Sequence, residues 1–261
     1  MTDSRDTSEE TLQWPTGTRS VRRTVDILRA VAKNQDKGAP LSKIARMVGL
    51  PISTVKRILA ALALDDFVSF SEDSKQYSIG YGLYQIATES LPLNIRDKYR
   101  FVLEKIARET GDTVYLNIRS GLEQVCIDVA EGAYSIRIAY GVGSRSCLGL
   151  LSGGIAILAN LPQKEIEEIL NKNQHRLAEY GVTIQETRNY IENYRNMGYV
   201  RFESKFIAGL VGVAVLIVEE NKEAVASIVV GSTAQRMPPE RCDQIQKLIK
   251  REIQAGKLGT E

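Results

Sequence analysis

The stretch GLPISTVKRILAAL, Gly49–Leu62, decides how the N-terminal part of this chain is read. Val55, Ile58, Leu59 and Leu62 recur at i, i+3, i+4 and i+7, one face of a 3.6-residue period, so the stretch is predicted to be an amphipathic helix. Its other face repeats that spacing with Ser53, Lys56, Arg57, Ala60 and Ala61, beside Thr54. A row of donors followed by two small residues suits close approach to another molecule. A face that is only solvated usually mixes in Glu, whereas here the acidic pair Asp65 and Asp66 comes only at the end.

Upstream, Ser42 is expected to cap a short helix, KIARMV, that buries Ile44, Ala45 and Val48, and Gly49 supplies the left-handed residue that closes it. Pro51 suits the first turn of the helix that follows. Earlier still, Ser20 is expected to cap a helix in which Val21, Val25, Leu28 and Ala32 share a face, with Ile27 and Val31 beside it, ending at the loop signal NQDKGAP. Downstream, FVSF (Phe67–Phe70) alternates like a strand, SEDSK is a turn and QYSI (Gln76–Ile79) alternates again, which predicts a hairpin. Helix, helix-turn-helix and hairpin in that order read as a winged helix.

The charge distribution agrees with a local phosphate-contacting surface. Net charge is +2, but residues 1–18 hold one arginine against four acidic residues, while Arg19 to Ser90 hold 11 Lys or Arg against 7 Asp or Glu. No apolar run reaches the roughly 18 residues a membrane span needs, and MTDSRDTSEETLQWPTGT is polar and acidic, so no membrane partner and a cytoplasmic location are expected. The three cysteines, Cys126, Cys147 and Cys242, are far apart, and His175 is the single histidine. Neither a disulfide framework nor a metal site is expected, and no cofactor.

Residues 1–18 lack periodicity and are expected to be a mobile tail; 19–80 form the winged helix, 81–95 a helical linker and 96–256 a second domain. In that domain VYLNIRS, EQVCIDVAEG and YSIRIAYGVG alternate like strands, and LLSGGIAILANL, KEIEEILNK and TIQETRNYIENYRNMG read as helices. LVGVAVLIV and AVASIVVGS are further strands, and PERCDQIQKLIKREIQ is a closing helix. Before them, IRDKYRFVLEKIARETG is a helix with Phe101, Val102, Lys105 and Ile106 setting its rhythm. The whole is predicted to be α+β with a mainly antiparallel sheet.

A recognition helix must offer hydrogen-bonding side chains to base edges and cations to phosphates. Ser53, Thr54, Lys56 and Arg57 supply that mixture: Arg57 suits bidentate reading of guanine and Lys56 a phosphate. Arg19, Arg22 and Arg23, with Ser42, are placed to track the duplex backbone, and Lys75 at the hairpin tip could touch phosphate against the opposition of Glu72 and Asp73. Exposed cations without a nucleic-acid partner remain the alternative at this point. Catalytic readings fail on spacing. GVGSRS (Gly141–Ser146) lacks the third glycine of a dinucleotide fingerprint, and in LLSGG Leu150 stands where a nucleophile elbow needs glycine, so Ser152 reads as a helix cap. Glu203 in RFESKF has no second carboxylate beside it. An enzyme tethered to DNA by its N-terminal module, or an assembly protein whose helix-turn-helix packs on protein, are the rival readings.

SVRRTVDILRAVAKN, LSKIARMVGLPISTVKRILAAL, the hairpin ending in QYSIG, VGSRSCLGLLSGGIAILANLP and MGYVRFESKFIAGLVGVAVLI together resemble the IclR family of bacterial transcriptional regulators, from residue 19 to about 254. The resemblance implies a winged helix, a helical linker and a C-terminal GAF-like effector-binding domain. It further implies a homodimer, often paired into a tetramer, that binds a pseudo-palindromic operator on double-stranded DNA and answers to a small-molecule effector; repression is favoured over activation. It places the effector pocket at Leu148, Leu150, Gly153, Gly154, Glu203, Gly212, Val229 and Gly231. Members often have L-H-C-T-A-x-G-K-A where this chain runs from Leu148 to Ala156, a cysteine at the position of Gly212, and two carboxylate-holding serines at Val229 and Gly231. A pocket poor in donors follows, with Glu203 as its remaining polar candidate and an aromatic or weakly polar effector. A domain that only dimerises is the alternative.

Overall fold

The structure, a computed structural model, describes residues 17–34, 38–90, 94–134, 140–218 and 225–258. The expected mobile tail falls largely on residues 1–16, outside the described residues. Between residues 93 and 94 the chain divides into two compact units.

The first unit runs α1 (Arg19–Ala32), β1 (Ala39–Pro40), α2 (Leu41–Val48), α3 (Ile52–Leu64), β2 (Val68–Ser71), β3 (Gln76–Ile79) and α4 (Tyr81–Ser90). Its three strands form an antiparallel sheet in the order β1-β3-β2. Gly49, at φ 64°, ends α2 in the left-handed region that a side chain disfavours, and its N–H bonds back to the Ala45 carbonyl. That reversal sets α2 and α3 at 110°, within the helix-turn-helix range. Ile44, Ala45, Val55, Leu59 and Leu62 close on Ile27, Ala30 and Val31 of α1 in one core.

Two local expectations differ from this. Neither Ser20 nor Ser42 caps: α1 and α2 begin at Arg19 and Leu41, behind Thr18 and Pro40, with no side-chain cap bond at either end. The buried stripe of α1 is Ile27, Ala30 and Val31, while Val21 is 53% exposed and Ala32 lies on the surface. Both stripes have helical spacing, and packing against α2 and α3 selects the one with Ile27 and Val31.

The second unit runs α5 (Asn94–Thr110), β4 (Thr113–Ser120), β5 (Glu123–Ala130), β6 (Arg145–Cys147), α6 (Ser152–Ala159), α7 (Gln163–Glu179), α8 (Ile184–Met197), β7 (Val200–Glu203), β8 (Leu210–Val218), β9 (Val225–Thr233) and α9 (Pro239–Leu258). Its six-stranded antiparallel sheet has the order β6-β5-β4-β9-β8-β7. Helices α5 and α9 cover one face through Leu103, Ile106, Ile245 and Ile249. Helices α6, α7 and α8 cover the other through Ile155, Leu158, Leu170 and Ile191. Of YSIRIAYGVG, residues 135–139 lie outside the described residues; among the described residues β6, which follows it, pairs with β5. Phe101 is 68% exposed, and Tyr99, Val102, Leu103 and Ile106 carry the buried face of α5. Ser152 is the first residue of α6, and Leu151 stands at its cap.

A bulge places the site. Leu116 pairs with Asp128 but Asn117 pairs with Cys126, so Ile127 is an extra residue on β5. The extra residue inverts the in-and-out alternation. Cys126 therefore packs on the α6 side while Ala130 packs on the α5 side, and Asp128 bonds Arg100 of α5 at 2.7 Å.

Candidate nucleic-acid interface and effector cavity

On α3, Ser53, Lys56 and Arg57 are exposed, Thr54 is half-buried, and Val55, Leu59 and Leu62 are buried behind them. The amphipathic period thus delivers one contiguous polar face on a helix held by its leucines. Ser42 on α2 and Arg19 on α1 are exposed as well; Arg22 and Arg23 are half-buried, and Arg22 lies 3.9 Å from Asp26. Lys75 sits at the tip between β2 and β3 at φ 54°, bonded to Glu72 at 2.6 Å. That pairing neutralises the cation locally, so Lys75 meets a phosphate only by exchanging partners.

In the second unit a cavity of about 300 Å³ opens between the sheet and the N-terminus of α6. Of the residues expected to form the effector pocket, Leu150, Gly153, Gly212, Val229 and Gly231 are on its wall. Leu148, Gly154 and Glu203 are not. Leu148 is sealed in the core, and Gly154 follows Gly153 around the helix, outside the wall. On β7 the two-residue alternation turns Phe202 into the cavity and Glu203 out to solvent, where it lies 3.4 Å from Arg201.

The wall is mostly apolar: Leu151, Phe206, Ile207, Leu210 and Val211 join Phe202 and Val229, with Tyr115 and Tyr180 beside them. One end, however, is more polar than the sequence led us to expect. The Tyr140 hydroxyl donates to Asn117 Oδ1 at 2.8 Å, and Gln124 Nε2 donates to Ser146 Oγ at 2.8 Å. Ser152 and Ser204 add hydroxyls. Asn117 faces this side by the alternation of β4 from Tyr115, and Gln124 by that of β5 from Cys126, which the bulge at Ile127 turns to the α6 side. They were missed in the sequence because nothing local marks an Asn on one strand and a Gln on the next as neighbours; the polar breaks in VYLNIRS and EQVCIDV are the only trace.

Burial raises the Tyr115 phenol to about 12 and pushes Tyr140 upward too. It likewise lifts the Cys126 thiol to about 12 and that of Cys147 to about 11. At neutral pH these groups are protonated, and neither thiol is an activated nucleophile.

Residues 89–255 match the family model for the C-terminal domain of the bacterial transcriptional regulator IclR, and residues 20–71 match the IclR helix-turn-helix domain. The chain belongs to the IclR family of bacterial transcriptional regulators. As an IclR-family protein it carries its DNA-binding module in the first unit and the family's C-terminal domain in the second. It is 26% identical over 230 residues to the HTH-type transcriptional repressor AllR of Klebsiella pneumoniae, covering 86% of this chain and 84% of that protein. The crystal structure of the Thermotoga maritima IclR superimposes with a TM-score of 0.69 at 26% identity, covering 91% of this chain and 96% of that one. An IclR homolog from Microbacterium hydrocarbonoxydans complexed with 4-hydroxybenzoate shares the fold at a TM-score of 0.76 and 21% identity, over 92% and 99% of the two chains.

Proposed function

We propose that this IclR-family regulator is a sequence-specific repressor that reads double-stranded DNA with α3 and is controlled by a small molecule held in the cavity of its second unit. The observation that carries the reading is the polar face of α3: Ser53, Lys56 and Arg57 stand exposed on the side opposite its buried leucines. With α3 in the major groove, Arg57 reaches base edges while Lys56 meets phosphate, and Arg19, Arg22, Arg23 and Ser42 follow the flanking backbone. The repressor sense is supported by the relatives named as repressors. Two copies are needed to read a pseudo-palindromic site, with half-sites about 34–36 Å apart or a multiple of it. The protein therefore acts as a homodimer, or a dimer of dimers.

An effector that prefers one spacing of the two α3 helices shifts operator affinity by its differential binding, typically about 1–3 kcal/mol of coupling. The apolar, aromatic wall favours a weakly polar effector. No catalytic step is assigned: among its described residues the cavity wall carries amides, hydroxyls and Arg145, with no carboxylate and no thiol. No single helix among the described residues is long and apolar enough to cross a membrane, in keeping with work on DNA in the cytoplasm. Footprinting on the DNA upstream of its own gene tests the proposal. Two protected half-sites on one face of the duplex are expected; uniform or absent protection would overturn it.

A further inference from the structure

We infer that the cavity selects an uncharged ligand, apolar in its body and carrying a hydrogen-bond donor at one end, because Glu123 withholds the cation on its wall. The inference rests on the cavity being the effector site and adds the charge of the effector and the residue that sets it. Among the described residues of the wall, Arg145 is the one cation, and there is no carboxylate. Its Nε donates to Glu123 Oε2 at 2.5 Å and its Nη2 to Ser120 Oγ at 3.0 Å. The other oxygen of Glu123 accepts from Arg176 Nη2 at 2.5 Å. Burial works against the charge on Glu123, yet the bonds from Arg145 and Arg176 outweigh it and hold the carboxyl below the usual range. Glu123 is therefore ionised at neutral pH and pairs with Arg145 while sharing its one charge with Arg176.

Beside the paired Arg145, the polar end offers neutral groups: the Asn117 and Gln124 amides and the Tyr140 and Ser146 hydroxyls. Within it the buried Gln124 Oε1 has no partner, so this end has an acceptor to spare for an N–H or O–H of the ligand. A carboxylate brings acceptors alone, whereas an amide or hydroxyl brings an N–H or O–H. A carboxylate here would also be desolvated without an available cation, which is costly. Val229 and Gly231 add no hydroxyl on the opposite wall. The raised phenols of Tyr115 and Tyr140 report the same aversion to negative charge.

Pairs of nearly equal shape and different charge decide the matter: benzamide against benzoate, phenylacetamide against phenylacetate, and nicotinamide against nicotinate, titrated calorimetrically into the full chain at pH 7.5. The amide of each pair that binds is expected to bind about tenfold tighter or more. Glu123 lies off the cavity wall, and E123Q frees Arg145, so the amide-to-acid ratio is expected to fall about tenfold. R145Q is expected to keep amide affinity within about threefold and to preserve the discrimination, which decides the case even should E123Q fail to fold. Acids binding as tightly as amides to the natural chain, or a ratio unmoved in E123Q, would overturn the inference while leaving the cavity as the effector site. Binding of no member of either series would remove that reading and this inference together.

Discussion

Replacing Asp112 with alanine is expected to destabilise the second unit through two stranded arginines. Asp112, between α5 and β4, is fully buried. Its Oδ1 accepts from Ser232 Oγ at 2.7 Å and from Arg236 Nε at 3.0 Å, and its Oδ2 accepts from Arg241 Nη2 at 2.6 Å. One carboxylate thereby ties the start of β4 to the end of β9 and the start of α9. Breaking a fully buried ion pair costs about 3–5 kcal/mol, because the surviving charge is left desolvated. Here the arginine side chains are 32% and 24% exposed, and both also bond the Thr110 carbonyl. Water and that carbonyl recover part of the loss, which brings the expected cost to about 2–3 kcal/mol. In a unit of this size each kcal/mol moves the midpoint by about 2–4 °C, so scanning calorimetry of the full chain should show the transition of the second unit lowered by about 5–10 °C. D112N keeps the shape and one acceptor and should fall between. A shift below about 1 °C for D112A would refute the argument, since it would mean that the arginines are as well solvated without the carboxylate as with it.

Three further outcomes are expected. G49A should destabilise the first unit by about 1–2 kcal/mol in denaturant unfolding, because φ is 64° and no other atom lies within 4 Å of the new methyl group; G49N should recover part of that, and an unchanged midpoint for alanine would contradict the turn geometry. K56A should reduce the slope of log affinity against log salt by about one unit, whereas an unchanged slope removes Lys56 from the interface. The Lys205 ammonium, then the Thr183 N–H, hold the Glu186 carboxyl at about 2, below the ordinary 4.5. Since the folded value is the lower one, its stabilisation is present above about 4.5 and fades as the pH falls towards 2. The stability difference between E186Q and the natural chain should shrink over that range, and a difference constant with pH would show that the pairing is not its source.

The helix-turn-helix was legible because its determinants are local: one apolar period, one left-handed glycine and one short hairpin. Its misreadings were local ties, such as the two stripes of α1, which only packing resolves. The wall of the cavity was legible where a family pattern marked it, at Leu150, Gly153, Gly212, Val229 and Gly231. Asn117, Gln124, Tyr140 and Arg145 were not legible, because they come together from β4, β5, β6 and the stretch before β6, and the bulge that turns Gln124 to this side is not announced by the sequence. Glu203 failed for a related reason: with β7 unrecognised, nothing said that Phe202 turns inward and its neighbour out.

The central claim is that α3 reads bases with Arg57. Equilibrium binding of the natural chain and R57A to the footprinted operator and to random duplex, at one salt concentration, tests it most directly. A bidentate contact to guanine is worth about 1–3 kcal/mol of discrimination, so R57A should lose roughly 5- to 150-fold on the operator and far less on random DNA. Equal losses on both would make Arg57 a phosphate contact, and no loss on either would place α3 outside the groove.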